Sequence, residues 1–461
     1  MHRSRFTGSV ALLASLLLTA TIGSAQTTRR ADHVVLISID GLRPEFYRET
    51  RWPAPTLQQM AREGAHAWEV RGVFPSVTYP SHTTILTGAM PARHGIFYNT
   101  PFEEGGQTGR WYWETSAIRV PTLWDAVLAA GLESANVWWP VSVGAPVTRN
   151  VPEVWPLDRD ADPIETLRAA TVPAGLLEEI EREATGRLTR SNFTIDHMTR
   201  DDRAGAMAAY LLERYRPALL TLHLIETDHF QHEAGREADI VRRAVATADR
   251  AVGQIIEAAE RAGILERTAF IVTGDHGFFD VHTRVAPNVW LAEAGLLEAR
   301  GDRGDWRATF HTAGGSAFLQ LRRPGDTRTV ERVRAILDGL PRGVRQLFTV
   351  VERSELDRLG VDPAVPLALA AAPGIVLTAS TEPPVVGPAG GGAHGYLPEL
   401  PEMHTGFLGW GAGFRRGAVA PILGLEQIAP LVAHLLDLPF EAPDGALPAG
   451  LLTEPDRQRE E

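Results

Sequence analysis

Seven side chains in this sequence have the types and spacing to do chemistry together. Asp228 and His232 stand four residues apart, which one helical turn places on one face. Asp275 is followed directly by His276, with Gly274 and Gly277 on either side, so the backbone is free to turn sharply and present both side chains. His394 lies in Gly391-Gly-Ala-His-Gly-Tyr396, another histidine in a glycine-permitted turn, and Asp40 sits in Ile39-Asp-Gly41. Mixed carboxylate and imidazole donors without thiolate suit zinc, ahead of manganese or iron. The seventh is Thr78, in Phe74-Pro-Ser-Val-Thr-Tyr-Pro-Ser-His82. There Pro80 near the start and Gly88 beyond the end bracket a short helix and put the threonine at its cap. A helix N-terminus holds anions, and a hydroxyl ionised there by a metal can attack phosphorus. Taken singly, each has an ordinary reading: an aspartate at a strand end turns the chain, and a cap threonine satisfies a backbone amide. The case lies in their company.

Composition narrows the chemistry. The 461 residues are 44% hydrophobic and 22% charged, ordinary for a globular protein and incompatible with wholesale disorder. The length suits one large α/β domain with insertions. Cysteine is absent and all 45 basic residues are arginine. Disulfides, thiolate nucleophiles, a P-loop lysine, a Schiff-base lysine and a Ser-Lys dyad are thereby excluded. The net charge of −12, with no basic stripe, gives no footing for a nucleic-acid duplex. Residues 1–25 read as a secretory signal: Arg3 and Arg5, an apolar run from Val10 to Ala20, then Gly23-Ser-Ala25. That run is shorter than the ~20 residues a membrane span needs. The expectation is a periplasmic or secreted protein without stable membrane insertion.

The candidate residues need elements to hold them. His33–Ser38 precedes Asp40, Leu219–Ile225 precedes Asp228, and Thr268–Thr273 precedes Asp275. Continuous apolar runs of this length predict strands buried on both faces, as in parallel sheets. Thr56–Glu63 and the Ala- and Arg-rich Glu237–Ala262 predict helices. This β-α-β alternation predicts an α/β fold: an open, mostly parallel sheet with helices on both faces. Ligands bind at the carboxyl ends of such strands, so the three aspartates are expected to converge. Residues 141–203 and 284–388, richer in Pro, Gly and charge, read as small cap insertions in a catalytic domain spanning 26–461.

The segments ISIDGLRPEF, FPSVTYPSHTTILTGAMPARHGIFYN, VWWPVSVGA, LIETDHFQHEAG, VTGDHGF and GAHGYLPELPEMH, running from Ile37 to His404, resemble the type I phosphodiesterase/nucleotide pyrophosphatase family. The resemblance implies an alkaline-phosphatase-like fold and a site with two zinc ions, other divalent metals being alternatives. It implies that Asp40, Asp275 and His276 hold one zinc, which the Thr78 alkoxide would also touch, and that Asp228, His232 and His394 hold the second. Thr78 matches the nucleophile and Asn99 the asparagine that hydrogen-bonds a phosphoryl oxygen. Two ions ~4 Å apart would hold the attacking and leaving oxygens of an in-line displacement, with Asn99 and the Tyr79 amide taking the equatorial charge.

The implied substrate is a small phosphodiester, nucleotide or pyrophosphate, hydrolysed through a phospho-threonine. Tyr79, where relatives often carry phenylalanine, together with Trp138 and Trp139, is expected to line the substrate pocket. Val141 replaces the family's usual glycine after the proline of Trp138-Trp-Pro140. His282 and His404 lie near the motifs and are assigned no metal. Two alternatives stand beside this reading. A phosphomonoesterase of the same superfamily is disfavoured by the absence of lysine, and a non-catalytic metal- or ligand-binding protein by the completeness of the set. A sulfatase lacks its nucleophile motif here.

Overall fold

The computed structural model describes residues 29–193, 198–298 and 304–454, with His2 besides; the leader expected over 1–25 lies, His2 aside, outside the described residues. The central sheet has eight strands: β1 (His33–Ile39), β2 (Ala65–Arg71), β3 (Ser134–Val137), β4 (Arg149–Val151), β5 (Leu219–Leu224), β6 (Thr268–Thr273), β7 (Phe407–Gly411) and β8 (Ala418–Gly424). Their spatial order is β8-β2-β7-β6-β1-β5-β3-β4. β7 runs antiparallel to both its neighbours, and the other pairings are parallel. The three strands expected from their apolar runs are adjacent in the middle, with β1 paired to β6 on one side and β5 on the other.

Alternation along β1 shows why the run had to be apolar throughout. Val35, Ile37 and Ile39 enter one core while Val34 and Leu36 enter the other. Each fully buried side chain of this kind contributes about 1.5–3 kcal/mol. Five helices matter below: α1 (Thr78–Thr87), α2 (Arg200–Tyr215), α3 (Glu226–Ala234), α4 (Asp239–Arg261) and α5 (Ile428–Leu435). α4 buries Val241, Ala244, Val245, Ala248, Val252 and Ile255, a stripe at helical spacing, in the first core; α5 buries Leu431, Val432 and Leu435 in the second. Helices therefore cover both faces. α2 packs closely on α4 at Gly205, where a Cβ would stand 2.7 Å from that of Ala251.

Residues 284–388 hold more regular structure than their composition suggested. The strands Ala308–Ala313, Ser316–Leu321, Phe348–Glu352 and Leu367–Ala371 form a separate antiparallel sheet with its own apolar cluster. The segment 141–203 instead adds Ile164, Leu167, Leu176, Leu177 and Phe193 to the first core of the main sheet.

Candidate active site

The candidate residues gather past the carboxyl ends of the three central strands, where a parallel sheet leaves room for a ligand. Asp40 follows β1 directly. Asp228 and His232 lie on α3, which starts two residues after β5, and Asp275-His276 follow β6 after Gly274. His394 arrives from a distant part of the chain, in the turn after Gly392–Ala393 pairs with Phe279–Asp280. The glycines around these histidines are needed for close approach. At Gly277 a Cβ would lie 2.0 Å from Glu402 O, and at Gly391, φ +76°, it would lie 2.0 Å from His232 O.

His276 stands at the centre. Its Nε2 is 3.2 Å from Asp275 Oδ2, 3.3 Å from Asp40 Oδ1 and 4.0 Å from Asp228 Oδ1. Asp228 Oδ1 in turn lies 3.4 Å from His232 Nε2 and 3.6 Å from His394 Nε2. Two groups of three potential ligand atoms result, Asp40-Asp275-His276 and Asp228-His276-His394. His276 belongs to both, so the sharp partition of six ligands between two ions is not reproduced, and His232 joins through Asp228 alone. His282 and His404 stay outside: His282 Nδ1 lies 2.9 Å from Thr283 Oγ1, and His404 Nδ1 lies 3.4 Å from Glu69 Oε2.

The donor set fits divalent cations on two counts. First, Asp40 Oδ1, Asp228 Oδ1, Asp275 Oδ2 and His276 Nε2 are buried without hydrogen-bond partners among the described residues, and buried polar atoms are rarely left so. Second, the three histidines are oriented alike. Nδ1 of His232, His276 and His394 lies 2.9, 3.2 and 2.9 Å from the carbonyl oxygens of Gly392, Gly277 and Ser76. A carbonyl only accepts, so each Nδ1 carries the proton and each Nε2 turns its lone pair to the carboxylates, the arrangement by which a protein fixes metal-ligating histidines. Burial pushes the Asp40 carboxyl well above the usual range, helped by the charge of Asp228, and pushes Asp275 up to about 7. Burial also pulls His276 well down and His394 down to about 4. A bound cation would hold all of them in the ligating state.

Thr78 faces this cluster across a cavity of about 360 Å³ that it lines together with Asp40, Asp228 and His223. It was expected at the cap of α1; the N-cap is Val77, in extended conformation, and Thr78 is the first helical residue. Its hydroxyl therefore makes no cap hydrogen bond. Asn99 is also placed differently from expectation. The Tyr79 N–H donates to Asn99 Oδ1 at 2.9 Å, so the two groups expected to share a phosphoryl oxygen are bonded to each other, and of the Asn99 side chain only its amino group can donate to such an oxygen. Tyr79 and Trp138 line the cavity, Tyr79 tilted against Trp111 at 5.1 Å. Trp139 does not. It is fully buried in the second core and packs edge-on against His82 at 4.9 Å; the chain turns here just past β3, with Trp138 in the left-handed region at φ +61°, so the two rings part to different sides.

Three cavity residues escaped the sequence reading. His223, inside β5, puts Nε2 3.1 Å from Asp40 Oδ2 and Nδ1 3.6 Å from Glu153 Oε2. Arg200 lies in the cavity wall with Glu153. For His223 a signal existed: Thr221 and His223 are the polar residues of an apolar strand and, two apart, share a face.

Residues 34–397 match the model of the family described as type I phosphodiesterase / nucleotide pyrophosphatase. The human ectonucleotide pyrophosphatase/phosphodiesterase family member 7 is 25% identical over 286 residues, 59% of this chain and 53% of that protein. Rat family member 3 is 24% identical over 254 residues, 53% of this chain and 24% of its own length. An uncharacterized pyrophosphatase/phosphodiesterase of Schizosaccharomyces pombe is 24% identical over 276 residues, 59% and 50% respectively. The chain thus spans about half, or less, of the length of these relatives. Among solved structures, human ectonucleotide pyrophosphatase/phosphodiesterase 5 superposes with a TM-score of 0.63 at 19% identity, over 90% of this chain and 97% of that one. An inactive variant of the murine protein in complex with AMP gives 0.61 at 20% identity, over 89% and 96%. The family match covers most of the chain and takes in every candidate ligand. The chain belongs to the type I phosphodiesterase/nucleotide pyrophosphatase family.

Proposed function

We propose that this protein is an exported, two-zinc phosphodiesterase/nucleotide pyrophosphatase that hydrolyses small phosphodiesters or pyrophosphates through a phospho-threonine intermediate. The observation that carries the reading is the cluster of Asp40, Asp228, Asp275 and His276 atoms left without hydrogen-bond partners among the described residues, of which Asp40 and Asp228 line the cavity beside Thr78. Asp40, Asp228, His232, Asp275, His276 and His394 would hold the ions, which when bound lower the pKa of a nearby hydroxyl and neutralise phosphoryl charge. Thr78 Oγ1 attacks phosphorus, the leaving oxygen departs with its electron pair, and water then attacks the phospho-threonine to restore the hydroxyl. The Asn99 amino group donates to an equatorial oxygen. Residues 284–388 serve as a cap on the catalytic domain, whereas 141–203, which carry β4 and part of the first core, supply much of the cavity wall beside Thr78. Export rests on the reading of residues 1–25 and agrees with relatives named as ectoenzymes.

Purified protein is expected to hydrolyse the p-nitrophenyl ester of a nucleoside 5′-phosphate faster, by kcat/KM, than p-nitrophenyl phosphate. Exhaustive chelation should abolish this activity and zinc should restore it. Full activity in metal-free protein, verified by elemental analysis, would remove the metal mechanism; a monoester preference would move the protein to the phosphomonoesterase class.

A further inference from the structure

Arg200 is the first residue of α2, and its side chain is 2% exposed in the wall of the cavity that opens on Thr78. Its position is fixed by a reciprocal clamp. Glu226 Oε1 accepts the N–H groups of Arg200 and Asp201 at 2.9 and 3.0 Å, while Asp201 Oδ1 and Oδ2 accept those of Ile225 and Glu226, both at 3.0 Å. Each carboxylate thus binds the opening amides of the other helix, and the candidate ligand Asp228 lies two residues farther along α3. The backbone that carries the guanidinium is thereby tied to the helix that carries Asp228. It stacks over Trp138 at 4.1 Å and Phe193 at 5.2 Å.

What the guanidinium lacks is an acceptor. Asp201 Oδ1 lies 3.8 Å from Nη1, but both Asp201 oxygens are already engaged by backbone amides. Nη1 and Nη2 have no hydrogen-bond partner among the described residues. Leaving such donors buried and unpaired is costly, so the fork suits a group that arrives with substrate. The same cavity presents two more buried, unpartnered polar atoms, Tyr79 Oη and Glu153 Oε2. Trp111, Trp155, Ile164 and Leu167 add apolar wall to the cavity, suited to an apolar or aromatic substituent.

We propose that Arg200 determines specificity for the substituent that remains on phosphorus in the first step. Its planar fork takes a coplanar pair of hydrogen-bond acceptors at the far end of that substituent. Two sources offer this chemistry: the adjacent carbonyl and ring-nitrogen edge of a guanine base, or an aryl carboxylate. The unpaired Glu153 oxygen suits the N–H donors that guanine also carries and a carboxylate does not. The proposal rests on the phosphodiesterase reading above.

Four p-nitrophenyl diesters with one leaving group test it: those of guanosine 5′-phosphate, adenosine 5′-phosphate, 4-carboxyphenyl phosphate and phenyl phosphate. The wild-type protein is expected to prefer the guanosine or the carboxyphenyl ester over the adenosine and phenyl esters by at least about tenfold in kcat/KM, the low range for a bidentate arginine contact. Whichever of the two wins identifies the source. Arg200→Met, which keeps the apolar stem over Trp138, should erase the preference, read as the ratio of kcat/KM between the favoured ester and the phenyl ester. Arg200→Lys, which keeps the charge but not the fork, should also erase it and decides the matter if the methionine variant does not fold. Absence of a preference in the wild type, or an equal fall for all esters in both variants, overturns the proposal. So does a selective loss of p-nitrophenyl phosphate turnover, which would place Arg200 on the phosphoryl group itself. Hydrolysis of none of the four would instead overturn the reaction class on which the proposal rests.

Discussion

His94 is a fully buried histidine whose two ring nitrogens are both committed. The Ile96 N–H donates to Nδ1 at 3.1 Å, so Nε2 carries the proton, 3.1 Å from Thr84 Oγ1. Burial pulls its pKa down to about 3 from an ordinary 6.5. The folded state holds the ring neutral, so below pH 6.5 the unfolded chain binds more protons and stability falls as pH drops toward the folded value. From pH 7 to pH 5 this group alone is expected to remove about 2 kcal/mol. Urea unfolding of zinc-loaded protein at the two pH values measures it, and His94→Gln should shallow the pH dependence by that amount. An unchanged slope in the variant would contradict the assignment. At this scale the sequence was legible where residues came in dense motifs: Asp275-His276 and Asp228 meet in the candidate ligand groups, His232 reaches them through Asp228, and Thr78 lines a cavity with Asp40 and Asp228. Arg200, His223 and Glu153 were not legible, because a lone charge in a sequence carries no sign of burial. What makes each informative is a partner, or the lack of one, supplied by another element.

The clamp between α2 and α3 is the element on which the site leans. Asp201 and Glu226 exchange four hydrogen bonds with each other's helix starts, satisfying amides that every helix leaves open. Asp201→Ala should strip the acceptor from Ile225 and Glu226 and cost about 1–3 kcal/mol of stability. Because Asp228 rides on the same helix, zinc affinity measured by competition with a chelator should fall with it. Asp201→Asn, retaining one acceptor oxygen, should lose less of both. Unaltered stability and zinc affinity in the alanine variant would show that α3 is held by packing alone. The elements that continuous apolar runs announced, β1, β5 and β6, are the ones buried on both faces, where the pattern has one reading. Within 284–388 the hairpin Ala308–Ala313/Ser316–Leu321, with strands as long as β5 and β6 and joined by Gly314-Gly315, carried a local signal that a reading by composition passed over. The pairing of Ser316–Leu321 with Leu367–Ala371 joins distant segments, which a local pattern does not display.

Across the whole molecule, the sheet brings together residues that the chain keeps far apart. Asp40 near the start, Asp228 and Asp275 in the middle, and His394 near the end meet only because β6, β1 and β5 are neighbours and the turn before Tyr396 folds back over them. That frame is shared with structures only 19–20% identical in sequence, so the fold tolerates replacement of most of its residues. The central claim is that Thr78 becomes covalently bonded to phosphorus. The direct test is mass spectrometry of zinc-loaded protein quenched in acid during turnover of a nucleoside 5′-phosphate p-nitrophenyl ester. The expected result is a nucleotidyl adduct on the peptide carrying Thr78, absent from Thr78→Ala, whose kcat should fall by several orders of magnitude while its zinc content holds. An adduct-free enzyme at full turnover, with Thr78→Ala close to wild type, would contradict the mechanism.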